Sequence, residues 1–136
     1  MSHHFHTTKR AEFSETDMAG IVHFSNYFRY MEVAEHEFFR SLELSIVMPF
    51  EGMTVTWPRV CCSFEYKKPI KFEQEVDIYI QIEHIGSKSL KYKASIEYKG
   101  QQLAIGHSTI VCCSFSKEQG LQSIEIPTYF RERFPQ

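Results

Sequence analysis

One carboxylate, that of Asp17, stands in a short loop that runs into the start of a helix. The pattern over residues 12–27 predicts an extended stretch, a tight turn at Gly20 and a helix that begins near Ser25 or Asn26. The first N–H groups of a helix lack partners within it and carry partial positive charge. This pairing suits attack on an activated carbonyl, because the carboxylate acts as nucleophile or base while the helix terminus stabilises the oxyanion.

Size, composition and charge restrict the class of protein. The chain has 136 residues, enough for one core, so residues 1–136 are predicted to form a single domain. Hydrophobic residues make up 43% of the chain and aromatic residues 15%, which favours a packed globular protein over disorder. A formal net charge of −2 gives no general attraction to nucleic acid or to an anionic membrane.

The N-terminal residues and the cysteines indicate an ordinary intracellular setting. No apolar run approaches the length that spans a bilayer, and no apolar signal core is present, so we expect a cytoplasmic location. His3, His4 and His6 are interpreted as side chains on a leading strand rather than metal ligands. The doublets Cys61-Cys62 and Cys112-Cys113 lack zinc or redox spacing, and one thiol of each is expected to pack in the core.

Hydrophobic periodicity predicts the order strand, helix and then four strands. Residues 4–14 are predicted as the first strand, residues 15–25 as the loop, residues 26–42 as the one long helix and residues 43–56 as a long connection. The further strands are predicted at residues 57–67, 75–85, 89–99 and 102–116, before a short terminal helix or extended tail. This is an α+β arrangement, and its economical packing wraps the sheet around the helix.

The predicted helix has one apolar face. The residues expected to be buried are Tyr27, Tyr30, Met31, Ala34, Phe38 and Leu42, which recur at helical spacing. Glu32 and Glu35 fall mostly off this stripe, and a position at the surface or against a bound substrate is therefore expected for both.

Residues 16–27 resemble the corresponding segment of the hotdog-fold acyl-CoA thioesterases, in particular the 4-hydroxybenzoyl-CoA thioesterase type. The resemblance rests on the sequence TDMAGIV from Thr16 to Val22, on Asn26-Tyr27 and on a helix that ends near Leu42. It extends more loosely over the whole chain. It implies the hotdog fold, in which a five-stranded antiparallel sheet wraps around one long helix. It also implies an enzyme that cleaves an acyl-CoA to a free acid and CoA.

The resemblance implies catalytic roles for three positions. Asp17 would act either as a nucleophile that forms a mixed anhydride or as a base that activates water, and the sequence leaves both routes open. The backbone N–H of Phe24 would polarise the thioester carbonyl. Gly20 would allow the sharp path of the loop.

Six further residues are candidates for binding the substrate: His23, Asn26, Tyr27, Glu32, Arg59 and Lys88. His23 stands where the family more often has Trp or Tyr. Glu32 occupies a helix position at which the hydroxybenzoyl-type relative has an acid near its substrate. Lys88 lies in a predicted hairpin connection where family members place basic residues near the nucleotide.

The resemblance also frames the substrate and the partners. The aromatic-rich helix favours an aromatic acyl-CoA, with short- or medium-chain acyl-CoA and an acyl-carrier-protein thioester as further possibilities. The alternatives are a noncatalytic acyl-CoA-binding or scaffold protein on the same fold, and a hydratase. No metal or organic cofactor is expected, since coenzyme A enters as part of the substrate. Pairing of the edge strand that carries Cys61 with its copy implies a homodimer or a homotetramer.

Overall fold

The computed structural model describes residues 3–136 as two antiparallel sheets packed with one long helix. In chain order the elements are β1 (Phe5–Arg10), α1 (Tyr27–Ser41), β2 (Val47–Phe50), β3 (Met53–Thr56), β4 (Arg59–Tyr66), β5 (Glu75–Ile85), β6 (Ser89–Tyr98), β7 (Gln101–Val111), β8 (Cys113–Ser116), β9 (Gly120–Ser123) and α2 (Thr128–Arg131). The larger sheet has the order β1-β5-β6-β7-β4, and the smaller sheet has the order β2-β3-β8-β9. Within the described residues, no helix is long and apolar enough to cross a membrane.

The core forms between α1 and one face of the larger sheet. The predicted helical stripe is buried except for Leu42, which is half-buried. On β5, Val76, Ile78, Ile80 and Ile82 alternate with polar residues and are buried, as the period of two predicts. The predicted helix and central strands are therefore confirmed. The first strand ends earlier than predicted, at Arg10, because the chain turns into a 3-10 helix at Phe13–Glu15.

Residues 47–56 form a β-hairpin, so the prediction of residues 43–56 as a long connection was wrong for most of that segment. β2 and β3 pair with Met48 opposite Val55. The turn places Glu51 at φ +48° and Gly52 at φ +79°, the left-handed geometry that suits tight hairpins. Pro49 is tolerated because β2 is an edge strand of the smaller sheet. Four-residue strands are too short to show a clear alternation, and Pro49 and Gly52 indicate a loop equally well.

The predicted last strand, residues 102–116, is divided between the two sheets. β7 ends at Val111, the Cys112 N–H donates to the Lys88 carbonyl at 2.7 Å, and β8 then pairs with β3 and β9. The predicted five-stranded sheet is present, but a second sheet of four strands accompanies it. The sequence conceals the change of sheet because its apolar pattern continues through Cys112 and Cys113.

The cysteine doublets are not divided between core and surface as predicted. Cys61 and Cys62 are both exposed on β4, which lies at the edge of the larger sheet and is irregular between Arg59 and Cys61. Cys112 and Cys113 are both buried where the chain passes between the sheets, and all four are free thiols. The predicted edge position of the strand carrying Cys61 is confirmed.

Glu35 is buried, which corrects its predicted position away from the apolar face of α1. Its exposed fraction is only 2%, and its carboxylate accepts a hydrogen bond from the Tyr92 hydroxyl. Arg59 on β4 donates to the same carboxylate at 2.5 Å. A buried carboxylate is tolerated when it is paired and hydrogen-bonded. Helical periodicity does not reveal such partners, because they belong to strands distant in sequence.

Candidate functional site

Asp17 lies on a small excursion of the chain, residues 17–21, whose two ends are held together by the pairing of Thr16 with Val22. The Gly20 N–H donates to the Asp17 carbonyl at 3.0 Å, and the Asp17 N–H donates to the Ile21 carbonyl at 2.9 Å. Gly20 adopts φ +78°, a left-handed conformation that glycine enters without steric cost. The predicted tight turn at Gly20 is therefore present.

The excursion is fixed to the segment that follows β4. The Val22 N–H donates to the Ile70 carbonyl at 2.7 Å, and the Phe72 N–H donates to the Gly20 carbonyl at 3.1 Å. These backbone hydrogen bonds hold the loop by groups that every residue type provides, so they leave the side chain of Asp17 available.

The Asp17 carboxylate is exposed and only partly engaged. Its Oδ1 atom accepts a hydrogen bond from the Ala19 N–H at 2.8 Å. Within residues 3–136, Oδ2 accepts no hydrogen bond and forms no ion pair. One oxygen thus orients the carboxylate, while the other is open to a reacting group.

The start of the helical segment supplies a free backbone donor. A 3-10 turn, Phe24–Asn26, leads directly into α1, with His23 as its N-cap residue. The Ser25 N–H donates to Nδ1 of His23 at 3.3 Å, and the Asn26 N–H donates to the His23 carbonyl at 2.9 Å. The Phe24 N–H has no acceptor among the described residues. It is one of the N-terminal donors that a helix leaves for an external acceptor.

Asp17 and Phe24 line the same pocket, whose volume is about 320 Å³. Its remaining lining residues are Ile21, Val22, Tyr27, Tyr66, Lys67, Lys68 and Pro69. The rings of Tyr27 and Tyr66 meet edge to face, with centroids 4.8 Å apart. The pocket thus combines apolar and aromatic walls with a carboxylate and two lysines, a composition typical of small-molecule sites.

A second pocket, of about 500 Å³, also borders the excursion. It is lined by Phe13, Thr16, Asp17, Met18, Gly20 and Phe72. The rings of Phe13 and Phe72 lie edge to face at 5.9 Å, and the side chains of Phe13, Met18 and Phe72 are exposed. Asp17 is the one residue that lines both pockets.

Among the predicted binding residues, Tyr27 lines the pocket, whereas His23 and Asn26 are engaged beside it. The His23 ring packs on the Phe24 ring with centroids 4.6 Å apart. The Asn26 side-chain N–H donates to the backbone carbonyl of Glu15 at 2.9 Å. In this arrangement the amide of Asn26 secures the path of the loop.

Glu32 on α1 and Arg59 on β4 lie together, further along the helix than Tyr27. Arg59 donates to the buried Glu35 and also, through Nε, to the Ser108 hydroxyl at 2.9 Å, while Glu32 is 3.7 Å from the guanidinium. Glu35 follows Tyr27 by eight positions, which correspond to about 12 Å of helix rise. The guanidinium of Arg59 therefore has its partners inside the fold, some distance from Asp17.

Lys88 is not brought near Asp17 within one chain. It follows β5, whereas the Asp17 excursion is anchored to the residues that precede β5. A strand of 11 residues extends about 35 Å at 3.2–3.4 Å per residue, so the two positions lie at opposite ends of the sheet.

Sequence reasoning misses two residues of this region. Tyr66 becomes a wall of the pocket only because β4 passes beside the start of α1. Glu15 precedes the excursion and receives hydrogen bonds from several elements. A Glu three residues after Glu12 resembles the spacing of a capping box, which is the one local signal for Glu15.

The prediction that no metal takes part stays a prediction. Within residues 3–136, no group of three or more His, Cys, Asp or Glu side chains is arranged to hold a metal ion. His4 and His6 have protein partners, since Nδ1 of His4 accepts from the Ile82 N–H at 2.9 Å and His6 lies 2.8 Å from Asp77.

Comparisons with known proteins relate the chain to several hydrolases. A "Putative esterase" of Aquifex aeolicus is 40% identical over 78 residues, which are 57% of this chain and 59% of that protein's length. A 1,4-dihydroxy-2-naphthoyl-CoA hydrolase of Synechococcus is 26% identical over 104 residues, covering 70% of this chain and 68% of its own. Both names denote hydrolases of ester bonds.

A solved gentisyl-coenzyme A thioesterase superposes with a TM-score of 0.80 and 26% identity, covering 93% of this chain and 99% of its own. The larger sheet and α1 thus form the predicted hotdog fold, and relatives named as a thioesterase and as a CoA-ester hydrolase support the predicted enzyme class. The profile of the thioesterase-like superfamily matches residues 11–134. With nearly the whole chain inside that match, this protein belongs to the thioesterase-like superfamily.

Proposed function

We propose that this protein is an acyl-CoA thioesterase, which hydrolyses the thioester of an acyl-CoA to a free acid and CoA. The observation that carries the proposal is that Asp17 and Phe24 line one pocket. Among the described residues, one carboxylate oxygen of Asp17 accepts no hydrogen bond and the Phe24 N–H has no acceptor. A thioester carbonyl needs both groups, a nucleophile or base at its carbon and a donor at its oxygen.

In the proposed reaction, the thioester oxygen accepts a hydrogen bond from the Phe24 N–H. In one route, Asp17 attacks the carbonyl carbon and the C–S bond breaks, which gives a mixed anhydride and CoA thiolate. Water then hydrolyses the anhydride, and the thiolate takes up a proton. In the other route, Asp17 accepts a proton from water as the water attacks, and that proton passes to the departing sulfur. Both routes consume one water and release the same products.

The preferred acyl group is proposed to be aromatic. Tyr27 and Tyr66 give the pocket aromatic walls, and a volume of about 320 Å³ lies at the lower end of the range for small-molecule sites. The names of two relatives specify dihydroxynaphthoyl-CoA and gentisyl-CoA, which are thioesters of hydroxylated aromatic acids. The 4-hydroxybenzoyl-CoA type is proposed on this basis. Short- or medium-chain acyl-CoA and acyl-carrier-protein thioesters are the next candidates.

A homo-oligomer completes the proposal. β4 ends the larger sheet, so one side of it has no neighbouring strand among the described residues, and its Val60 side chain is exposed. Pairing of β4 with its copy across a two-fold axis removes that edge, which gives a homodimer, or a homotetramer from two dimers. In such an oligomer, Lys88 of one protomer remains a candidate to bind the phosphates of a CoA held at the site of another protomer. We also propose a cytoplasmic location.

The test is hydrolysis of a panel of esters, from benzoyl-CoA and hydroxybenzoyl-CoA to short and long aliphatic acyl-CoA, with free acid measured by chromatography. Asp17→Asn is the informative variant because the amide oxygen still accepts the Ala19 N–H, so the loop keeps its shape. Asp77→Asn, on a carboxylate that contacts His6, is the matched control.

Turnover by the wild type and the control that is lost in Asp17→Asn, with acyl-CoA binding preserved, supports the thioesterase. Binding without turnover of any ester favours the noncatalytic protein, and addition of water to an enoyl-CoA favours the hydratase. Equal turnover in all three proteins removes Asp17 from the mechanism.

A further inference from the structure

The carboxylate of Glu15 is held from three directions. The Tyr30 hydroxyl on α1 donates to Oε1 at 2.6 Å, and the Glu12 N–H donates to the same atom at 2.9 Å. The Lys9 ammonium on β1 lies 3.0 Å from Oε2. The Glu15 side chain is only 19% exposed, so these bonds are partly shielded from water. They fix Glu15 to the helix, to the first strand and to its own turn.

The backbone carbonyl of Glu15 contacts the C-terminal end of the loop, at His23 and Asn26. It accepts hydrogen bonds from the His23 N–H at 2.9 Å and from the Asn26 side chain at 2.9 Å. His23 and Asn26 flank Phe24, whose N–H is the proposed carbonyl donor. The position of that donor is therefore set relative to Glu15.

Glu15 also precedes Asp17 by two residues, next to the pairing of Thr16 with Val22. We propose that Glu15 is a positioning residue, which sets the distance between the Asp17 carboxylate and the Phe24 N–H by anchoring both ends of the loop. The inference rests on the proposed function, because the distance matters for catalysis only if these two groups act on one carbonyl. It assigns no contact between Glu15 and the substrate.

The charge of Glu15 strengthens this anchor. Burial opposes ionisation, but the bonds from Tyr30 and the Glu12 N–H, together with Lys9, outweigh it and lower the pKa of the Glu15 carboxyl. Hydrogen bonds to an ionised carboxylate are about twice as strong as those between neutral groups. Glu15→Gln therefore weakens the anchor while keeping the side-chain shape.

The experiment compares Glu15→Gln and Tyr30→Phe with two matched controls, Glu83→Gln and Tyr79→Phe. Glu83 pairs with His107, and Tyr79 stacks on His6, both away from the loop. A misplacement of about 1 Å costs up to roughly 100-fold in rate, so we expect kcat to fall about 10- to 100-fold in the first pair. KM is expected to change little, and the controls are expected to match the wild type.

A merely structural role predicts a different result, a lower melting temperature with kcat unchanged at temperatures where the variant is folded. In the Asp17→Asn background, Glu15→Gln is expected to lower the residual rate no further, because the distance that Glu15 sets loses its effect once the Asp17 carboxylate is gone. Additive losses, or an unchanged kcat in Glu15→Gln, overturn the inference and leave the proposed function standing.

Amide hydrogen exchange separates this inference from the proposed function. In Glu15→Gln, the His23 N–H is expected to exchange faster than in the wild type while the amides of β6 keep their protection. If the wild type hydrolyses no thioester, the proposed function fails. Independently of that result, an unchanged exchange rate of the His23 N–H in Glu15→Gln overturns the anchoring role of Glu15. If the wild type is inactive but His23 exchanges faster in Glu15→Gln, Glu15 still anchors the loop, and only its proposed effect on catalysis is overturned.

Discussion

The Arg59 guanidinium on β4 lies 2.5 Å from the Glu35 carboxylate on α1, and this pair connects the long helix to the edge of the larger sheet. The Tyr92 hydroxyl on β6 donates to the same carboxylate, so the contact spans three elements. Burial alone disfavours the charged guanidinium, but the adjacent Glu35 outweighs it and raises the pKa of Arg59. The guanidinium of Arg59 therefore stays charged throughout the ordinary pH range.

Removal of one partner of this pair is expected to destabilise the protein strongly. Arg59→Met leaves the carboxylate of Glu35 buried at 2% exposure without its cation, and such a loss costs about 3–5 kcal/mol. Urea unfolding measures the change in the free energy of unfolding. Arg10→Met, which breaks the exposed 3.4 Å pair with Glu75, is the control and is expected to cost at most about 1 kcal/mol. Equal effects of the two substitutions contradict the structural role of the buried pair.

The role of the Phe24 N–H is testable because Phe24 is the first residue of its helical turn, a position where proline is accepted. His23 has φ −64° and ψ 138°, an extended conformation that suits the residue before a proline. Phe24→Pro removes the donor, and we expect kcat to fall about 10²- to 10³-fold, as for other oxyanion donors. Phe24→Ala keeps the N–H and is the control. A Phe24→Pro enzyme as active as Phe24→Ala shows that this donor does not polarise the carbonyl.

The stability of the protein is expected to depend on acid through Glu15. Its folded-state pKa lies below its ordinary value, so its contribution is fully present above the unfolded-state pKa of about 4.3. The contribution is lost as the pH falls through the lowered pKa. The groups that face it are the Lys9 ammonium and the neutral Tyr30 hydroxyl, with Glu12 beside them.

The measurement is urea unfolding between about pH 3 and pH 7 for wild type and Glu15→Gln. The two proteins are expected to differ most at neutral pH and to converge as the solution becomes more acidic. A difference that is constant across this range argues that the charge of Glu15 does not stabilise the fold.

The buried thiols are expected to resist alkylation. Burial, aided by the neighbouring Cys113, raises the pKa of Cys112 to about 12, and the thiolate is the reactive form. Iodoacetamide at about pH 8 should therefore leave Cys112 unmodified in the native protein and modify it fully in urea, as read by mass spectrometry. Modification of Cys112 at the same rate in both conditions would contradict its burial. Cys61 and Cys62 report separately on whether a second copy covers β4.

Local patterns predict the long helix and the central strands well. The alternation on β5 and the stripe on α1 arise from periods of 2 and 3.6 residues, which the core imposes wherever one face of an element is buried. Periodicity does not predict the β2–β3 hairpin, because its strands have only four residues each and include Pro49. Periodicity also does not predict the division between β7 and β8, because the residues on both sides of the break are apolar.

The sequence by itself determined the candidate chemistry, since Asp17, Gly20 and Phe24 lie within eight consecutive residues and their local conformations place them together. The tertiary structure decided which charged groups are partners. Glu35 meets Arg59 and Tyr92 across 24 and 57 positions of the chain, and Glu15 meets Tyr30 across 15. A buried charge is favourable only when its complement arrives from another element, and no local pattern records that encounter.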